Sequence, residues 1–211
     1  RKSHRYHLEK TLKCNSAGYG LIHIFEDEYV NKKNIVYSKI KHILGLNTSL
    51  EKVGGRKCII SKINTNVAKD FLEKFHIQGF TKSTCYVGGF YKNELVGVMS
   101  FKLSKNGFHE YELTRFATDD KYQYQGLGSK MLKYFVRENN PKTIYSFADR
   151  RWTVDIHDNL YTKIGFILEK IGRPDYKYYN EKVEKYKRVH KMFMSKKILI
   201  KKHGFPETMT E

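Results

Sequence analysis

The residues of this chain with the plainest chemical potential are a pair of glycines, Gly126 and Gly128, inside Gln123-Tyr-Gln-Gly-Leu-Gly128-Ser129. Met131, Leu132, Phe135 and Val136 follow at the spacing of one helix face, so the glycines stand where a loop turns into a helix N-terminus. First-turn N–H groups have no partner inside the helix and the helix dipole favours negative charge there, so such a turn receives anions. Glycine lets a phosphate come close to the backbone, although an ordinary loop is the plainer reading of Gly-x-Gly alone. Asp149 closes a strand at its C-terminal end, opposite the loop, where it could take a proton from an amine or fix a neighbouring histidine. Arg115 could pair with a phosphate or hold Asp149. His76 could act as a base or simply end a helix. Trp152, between Arg150 and Arg151, could stack on a base flipped from a duplex, or be a half-buried loop residue.

The elements that must position these groups are legible around them. Thr84 to Tyr91 and Glu94 to Leu103 alternate as strands joined by a tight turn at Lys92-Asn93, and Glu110 to Ala117 is a third strand that leads into the glycine loop. Thr143 to Ala148 is a strand after the helix, followed by a short helix ending Leu160-Tyr-Thr-Lys-Ile-Gly-Phe166. Upstream, Lys57 to Ile63 reads as a strand. Asn64 or Thr65 then caps a helix through Phe75, with Val67, Ala68, Phe71, Leu72 and Phe75 on its apolar face and His76-Ile-Gln-Gly79 at its end. Earlier still, residues 1–13 read as a basic helix, Asn15 to Gly20 as a turn, Leu21 to Phe25 as a short buried strand and Val30 to Leu44 as a helix. Glu26-Asp-Glu28 either suits a hard divalent cation or, as the better reading, complements a helix dipole; no metal is assigned. Asn47 to Arg56, with Gly54-Gly55, reads as a linker. The expectation is an α/β (α+β) fold with a mixed, mostly antiparallel sheet flanked by helices.

The chain has 211 residues, room for one large domain or two small ones with a sizeable core. A formal charge of +18 and an aromatic fraction of 14% suit a nucleic-acid partner, because cations meet phosphates and rings stack on bases. A merely Lys-rich protein is the alternative. From Tyr176 to Lys202 the chain is basic with interleaved tyrosines and reads as a helix or strand-helix tail able to follow a phosphate backbone, with Lys177, Lys187, Arg188 and Lys191 as contacts. The three cysteines, Cys14, Cys58 and Cys85, form no Cys-x-x-Cys pair, which points to reduced thiols in a cytosolic setting and away from a thiolate zinc site. No apolar run approaches a membrane span, no signal peptide is visible, and a chain beginning at Arg1 reads as part of a longer protein.

The order of helix, hairpin, strand, glycine loop and helix, strand, helix resembles the GNAT acyltransferase superfamily over roughly residues 57–170. The resemblance implies that the loop Gln123, Gln125, Gly126, Leu127, Gly128 and Ser129 holds the pyrophosphate of acetyl-CoA or a related acyl-CoA. It also implies that a splayed backbone amide near the end of the strand Glu110 to Ala117 meets the oxyanion and that Tyr161 protonates the leaving thiolate. As a plain residue, Tyr161 could equally pack beside Phe166. His76-x-Gln-Gly79, Glu112-Leu-Thr-Arg115, Ser146-Phe-Ala-Asp149 and Asn159-Leu-Tyr161 look like the Mom family of phage DNA-modifying proteins. That likeness implies a site of His76, Arg115, Ser146, Asp149 and Tyr161 acting on an adenine amino group. A further likeness covers the first 45 residues: Tyr6-His-Leu-Glu-Lys-Thr11, Gly20-Leu-Ile-His-Ile-Phe-Glu-Asp-Glu28 and Lys32-Lys-x-Ile-Val-x-Ser-Lys-Ile40 look like the closing part of a phage homing endonuclease domain of the very-short-patch-repair type.

Together these readings imply a nuclease-like remnant at 1–50, a GNAT/Mom-like domain at 57–175 and a basic extension at 176–211. The expected activity is acyl-CoA-dependent modification of a nucleic-acid amine in the cytoplasm of a bacterial host, with DNA as partner and no membrane. The alternative is a catalytically silent DNA-recognition domain of a homing endonuclease.

Overall fold

The computed structural model describes residues 5–46, 50–105, 107–153, 155, 157–179, 188–204 and 206–208. The chain divides into two compact units, Asn34–Glu169 and a smaller unit made of Arg1–Lys33 with Lys170–Glu211.

The smaller unit opens with α1, Tyr6–Ser16, which runs into the stretch expected to turn; Gly18, at φ 80°, then redirects the chain. Leu21 to Phe25 forms no strand, contrary to expectation, and Ile24 and Phe25 are exposed. A five-residue apolar run reads alike as strand or coil until a partner strand claims its N–H groups, and none among the described residues does. The three acids open α2, Glu26–Asn31, where they complement the helix dipole. Lys32 breaks the expected single helix, and α3, Lys33–Ile43, with Gly45 at φ 68° beyond its end, belongs from Asn34 onward to the larger unit.

The larger unit is built on elements in the expected order. Lys52–Gly54 is a short strand, β1, and Gly55–Lys57 is one 3-10 turn. β2 is Ile59–Lys62; α4, Thr65–Phe75, starts where the Asn64 side chain accepts from the N–H of Val67, which supplies a partner for one orphan first-turn donor. β3, Cys85–Tyr91, and β4, Glu94–Leu103, meet at Lys92-Asn93, both at positive φ, as a two-residue hairpin turn requires. β5 is Tyr111–Thr118, β6 is Gln123–Gln125, α5 is Leu127–Asn139, β7 is Ile144–Ser146 and α6 is Leu160–Lys163. β2-β3-β4-β5-β7 make one sheet, antiparallel except for the parallel pair β5·β7.

Strand alternation sends side chains to two faces, and each face buries a helix. Val87, Val96, Phe101 and Leu113 meet Leu127, Met131 and Phe135 of α5, with the rings of Phe101 and Phe135 stacked. Tyr86, Val98 and Ala117 meet Ala68, Phe71 and Leu72 of α4. Those α4 residues are the apolar face that periodicity marks out, less its more exposed members.

The expected linker is not one. Its described part contains β1, whose Lys52, Val53 and Gly54 pair in parallel with Gln123, Tyr124 and Gln125, and Val53 is 1% exposed. Residues 47–49 lie outside the described set.

After Glu169, the small unit resumes with β8, Lys177–Tyr179, paired antiparallel to β9, Arg188–His190, then a 3-10 turn and α7, Lys196–His203. This is the strand-helix form of the basic tail. The expected Tyr186 and Lys187 lie outside the described residues.

Candidate functional site

Two features of β5 open a notch in the sheet. Ser100 pairs with Arg115 but Phe101 pairs with Leu113, so Thr114 is one residue too many, a bulge. Its hydroxyl is held by those of Ser100 (2.7 Å) and Ser83 (2.8 Å) and donates to the Ser100 carbonyl (3.0 Å), which leaves no slack in the bulge. On its other side, β5 pairs with β7 only from Tyr111↔Ile144 to Leu113↔Ser146. Beyond Leu113, the β5 amides that face this way have no strand partner among the described residues, which is the backbone arrangement an oxyanion needs.

Tyr161 enters this notch from α6. That helix is only one turn long and depends on its cap: Asn159 Oδ1 accepts from the N–H groups of Tyr161 (2.8 Å) and Thr162 (3.2 Å), and Thr162 Oγ1 accepts from the Asn159 N–H (3.1 Å). The half-buried phenol lies close to the Ser146 side chain. Ser146 Oγ donates to the Leu113 carbonyl at 2.9 Å. Burial pushes the Tyr161 pKa up, the nearby charge of Asp149 adds to the rise, and Ser146 and Arg115 oppose it. A tyrosine held protonated in this way suits the donation of a proton to a leaving thiolate. The ring also makes an edge contact with Phe166, so the packing role and the chemical one coexist.

Arg115 does not hold Asp149. Its Nε donates to the Gly79 carbonyl (3.0 Å) and its Nη1 to the Thr114 carbonyl (2.7 Å), tying β5 to the turn after α4. Burial lowers its pKa, and the charges of Glu112, Tyr161 and Glu73 work against that. Asp149 instead is gripped by Arg151, with Nη2 to Oδ2 at 2.6 Å and Nε to Oδ1 at 3.1 Å, and Oδ1 also accepts the Arg151 N–H at 3.1 Å. A carboxylate so engaged orients its loop. His76 Nδ1 accepts from the Gln78 N–H (3.1 Å) inside the turn that follows α4, and Gly79 of the same turn accepts from Arg115. Trp152 is half-buried; Lys39 and Arg151 lie over its ring at 5.4 and 6.0 Å, so neighbours already occupy it. Arg150 beside it is exposed.

The glycine loop has a division of labour that spacing did not reveal. Gly126, the N-cap of α5, sits at φ 76°, and a Cβ there would meet nothing within 4 Å, so the turn is open to a ligand. Gly128 does the opposite: a Cβ would lie 3.3 Å from the Phe116 ring, so this glycine serves packing. Leu127 is fully buried in the core and Gln123 is spent in β6. Of the loop residues, Gln125, Gly126 and Ser129 line a cleft of about 800 Å³, together with Lys130 and Lys133 of α5. The opposite wall is Gly54 to Lys57. That wall presses on the loop so closely that a Cβ at Gly55 would stand 2.7 Å from the Leu127 nitrogen. Lys130 Nζ locks the two walls by donating to the carbonyls of Arg56 (3.2 Å) and Cys58 (2.6 Å). An open positive-φ glycine at a helix head, in a cleft lined by four cations and no acid, fits the diphosphate of a nucleotide cofactor. Arg56 and Lys57 were missed because Gly54-Gly55 beside polar residues reads as a linker; a basic pair straight after a double glycine was the available signal.

The basic tail presents less charge than its composition promised. Arg188 is clasped by Asp27 (2.7 Å) and Glu28 (2.8 Å) and lies 3.6 Å over the Phe25 ring. Lys191 pairs with Asp175 at 2.7 Å, and that hydrogen bond raises its pKa. Lys177 is exposed on β8. Arg188, expected to contact phosphate, thus holds two acids and a ring of its own unit. No helix among the described residues is long and apolar enough to cross a membrane.

Residues 82–168 match the acetyltransferase (GNAT) domain family. Among solved structures, the chain is similar to a GNAT-family acetyltransferase of Streptococcus pneumoniae, with 16% identity and a TM-score of 0.43 over 58% of this chain and 98% of that one. It is similar also to a transcriptional regulator of Bacillus halodurans, with 12% identity and a TM-score of 0.44 over 56% and 99%. A third is an aminoglycoside acetyltransferase from an uncultured soil metagenomic sample, in complex with sisomicin, with 15% identity and a TM-score of 0.43 over 59% and 98%. No curated protein matches the chain. The segment 82–168 is thus similar to an acetyltransferase (GNAT) domain, a family that takes its acyl group from acetyl-CoA or a related acyl-CoA.

Proposed function

We propose that the protein transfers an acyl group from acyl-CoA to an amine, and that the amine is carried by a nucleic acid, an adenine-like exocyclic amine being the chemical type. The observation that carries the donor half is the half-buried phenol of Tyr161, held near Ser146 at the point where β5 and β7 cease to pair. The cofactor supplies an activated thioester. The first-turn amides of α5 and the cations of the cleft would hold its phosphates, and the β5 amides beyond Leu113 would stabilise negative charge on the acyl oxygen as the amine nitrogen bonds to the acyl carbon; Tyr161 would protonate the sulfur as the carbon–sulfur bond breaks, and the proton lost by the amine would pass to solvent. Ser146 keeps the phenol aimed, Arg115 holds β5 against the Gly79 turn, and Asp149 with Arg151 shapes the acceptor side.

What supports a nucleic-acid acceptor is the formal charge of +18 and the exposed Arg150 beside Trp152 and Lys39. The test is mass spectrometry of nucleosides after incubation with acetyl-CoA and duplex DNA. An acetylated nucleoside that disappears in Tyr161→Phe supports both halves. Free CoA released only with small amines would remove the nucleic-acid half. No acetyl-CoA binding at all would remove the donor half and leave a silent DNA-recognition module.

A further inference from the structure

The end of β7 carries a ring that the reaction above leaves without a task. Phe147 follows the strand directly and is 76% exposed; a lone ring on a surface needs no explanation, but this one has a place and a support. Ser146 before it and Asp149 two residues after it both lie near the Tyr161 phenol, so Phe147 stands at the rim of the notch. Successive side chains of a strand point to opposite faces. Phe147 therefore shares the face of Tyr145, and the two rings meet edge-on at 5.6 Å. His109 stacks on the Tyr145 ring at 5.0 Å, and its Nε2 lies 3.3 Å from a carboxylate oxygen of Glu169. The Tyr145 hydroxyl donates to Glu112 at 2.9 Å, and Lys102 pairs with the same carboxylate at 2.9 Å. The two inner rings of this row are thus fixed by polar partners, while the outer ring is braced on one edge and offers its surface to solvent. Arg150, exposed three residues further on, adds a cation to the same loop. Trp152, the ring that the sequence suggests for stacking, already lies under Lys39 and Arg151.

We propose that Phe147 is the platform on which the acceptor base stacks, so that the protein selects an unpaired base whose exocyclic amine then stands at the notch. This rests on the nucleic-acid reading above and says how its acceptor is held. A base presents a flat π-face that an aromatic ring accepts whatever the sequence, and a braced ring loses little freedom on contact. Inside a duplex both faces of a base are covered by its neighbours, so only a single strand or a flipped base can lie on Phe147. The ring has no proton to give or take. Its contribution is to hold the amine still near the acyl carbon, and it therefore belongs to acceptor binding, with Arg150 available to a phosphate of the same strand.

The test is calorimetry on the full chain at low salt with three probes: a short deoxyadenosine strand, an abasic strand of the same length, and acetyl-CoA. The abasic strand keeps the phosphates and lacks the rings. We expect the deoxyadenosine strand to bind tighter by at least about fivefold, the lower end of the range for one base on one aromatic ring. Phe147→Ala and Phe147→Leu should both remove that excess, and Phe147→Trp should keep it. Affinity for the abasic strand, affinity for acetyl-CoA and thermal unfolding should stay as they are in all three variants. In acetyl transfer to the deoxyadenosine strand, Phe147→Ala should raise KM by the same factor with kcat unchanged. Equal affinity for the two strands in the unmutated chain overturns the proposal, and an acetylated nucleoside found alongside it leaves the acyl-transfer reading intact. An excess that survives Phe147→Ala overturns it too; if that variant also turns a dimer into a monomer by light scattering, the ring is a contact with a second copy of the chain. A fall in kcat at constant KM overturns it as well and makes Phe147 a support for Ser146. Binding of neither strand, with no acetylated nucleoside, removes the nucleic-acid reading and this proposal together.

Discussion

Two basic regions of this protein look alike in composition and differ in what their charges do. Around the cleft, Arg56, Lys57 and Lys133 extend from a rigid backbone with no acid beside them. In the small unit, Arg188 is neutralised by Asp27 and Glu28, and Lys191 by Asp175. Net charge counts both groups equally. Only the first is available to a ligand, because the second already spends its charge on holding its own unit together. The lesson is that +18 describes a total, while binding depends on which cations lack a partner.

The sharpest way to break this contrast is to show that chemistry does not reside with the cleft and its notch. Tyr161→Phe should lower kcat by roughly 10²- to 10⁴-fold, the range for loss of a general acid, while acetyl-CoA affinity by calorimetry stays constant. An unchanged kcat would detach the notch from the reaction. Ser146→Ala should cost less, because the phenol survives and loses only its anchor; Ser146→Thr should recover part of the rate.

The structural role of the paired cations is tested next. Arg188→Ala leaves Glu28, 4% exposed, as a buried carboxylate without its guanidinium. The expected cost is about 3–5 kcal/mol, visible as early proteolysis of the small unit, with acetyl-CoA binding by the other unit retained. If Arg188→Ala instead left proteolysis unchanged and weakened DNA binding, the tail would be a phosphate contact after all.

A subtler probe is Gly55→Ala, whose Cβ would fall 2.7 Å from the Leu127 nitrogen and must push the upstream wall away from the loop. We expect a cost of roughly 1–3 kcal/mol, as for overpacking, and weaker CoA binding. The same substitution at Gly54, where a Cβ meets nothing within 4 Å, should be silent. The smallest effect concerns pH. The protonated phenol is the competent form and its pKa is raised, so activity should persist through the ordinary tyrosine range and fall only at higher pH. An alkaline limb below about pH 10 would assign that limb to another group.

Much of the larger unit was readable because its signals are local. The strand limits at Glu94 and Leu103, the Lys92-Asn93 turn and the Asn64 cap each depend on neighbours a few residues away. The site was readable in part. Ser146 and Tyr161 do meet, yet Asp149 went to Arg151 where Arg115 was the candidate, and His76 turned inward to Gln78. Each of those choices is a competition among several nearby hydrogen-bond partners, and residue type does not rank them.

Periodicity and turn chemistry alone determined that a helix begins at a glycine loop after a run of alternating strands, since 3.6- and 2-residue repeats and positive-φ glycines are properties of short segments. Tertiary structure alone decided that β1 pairs with β6 some 70 residues later, that Gly55 rather than Gly128 bears on the ligand side of the loop, and which cations stay unpaired. The reason is that a backbone pairing or an ion pair is settled by which groups distant in the chain arrive within a few ångströms, and no local pattern carries that distance.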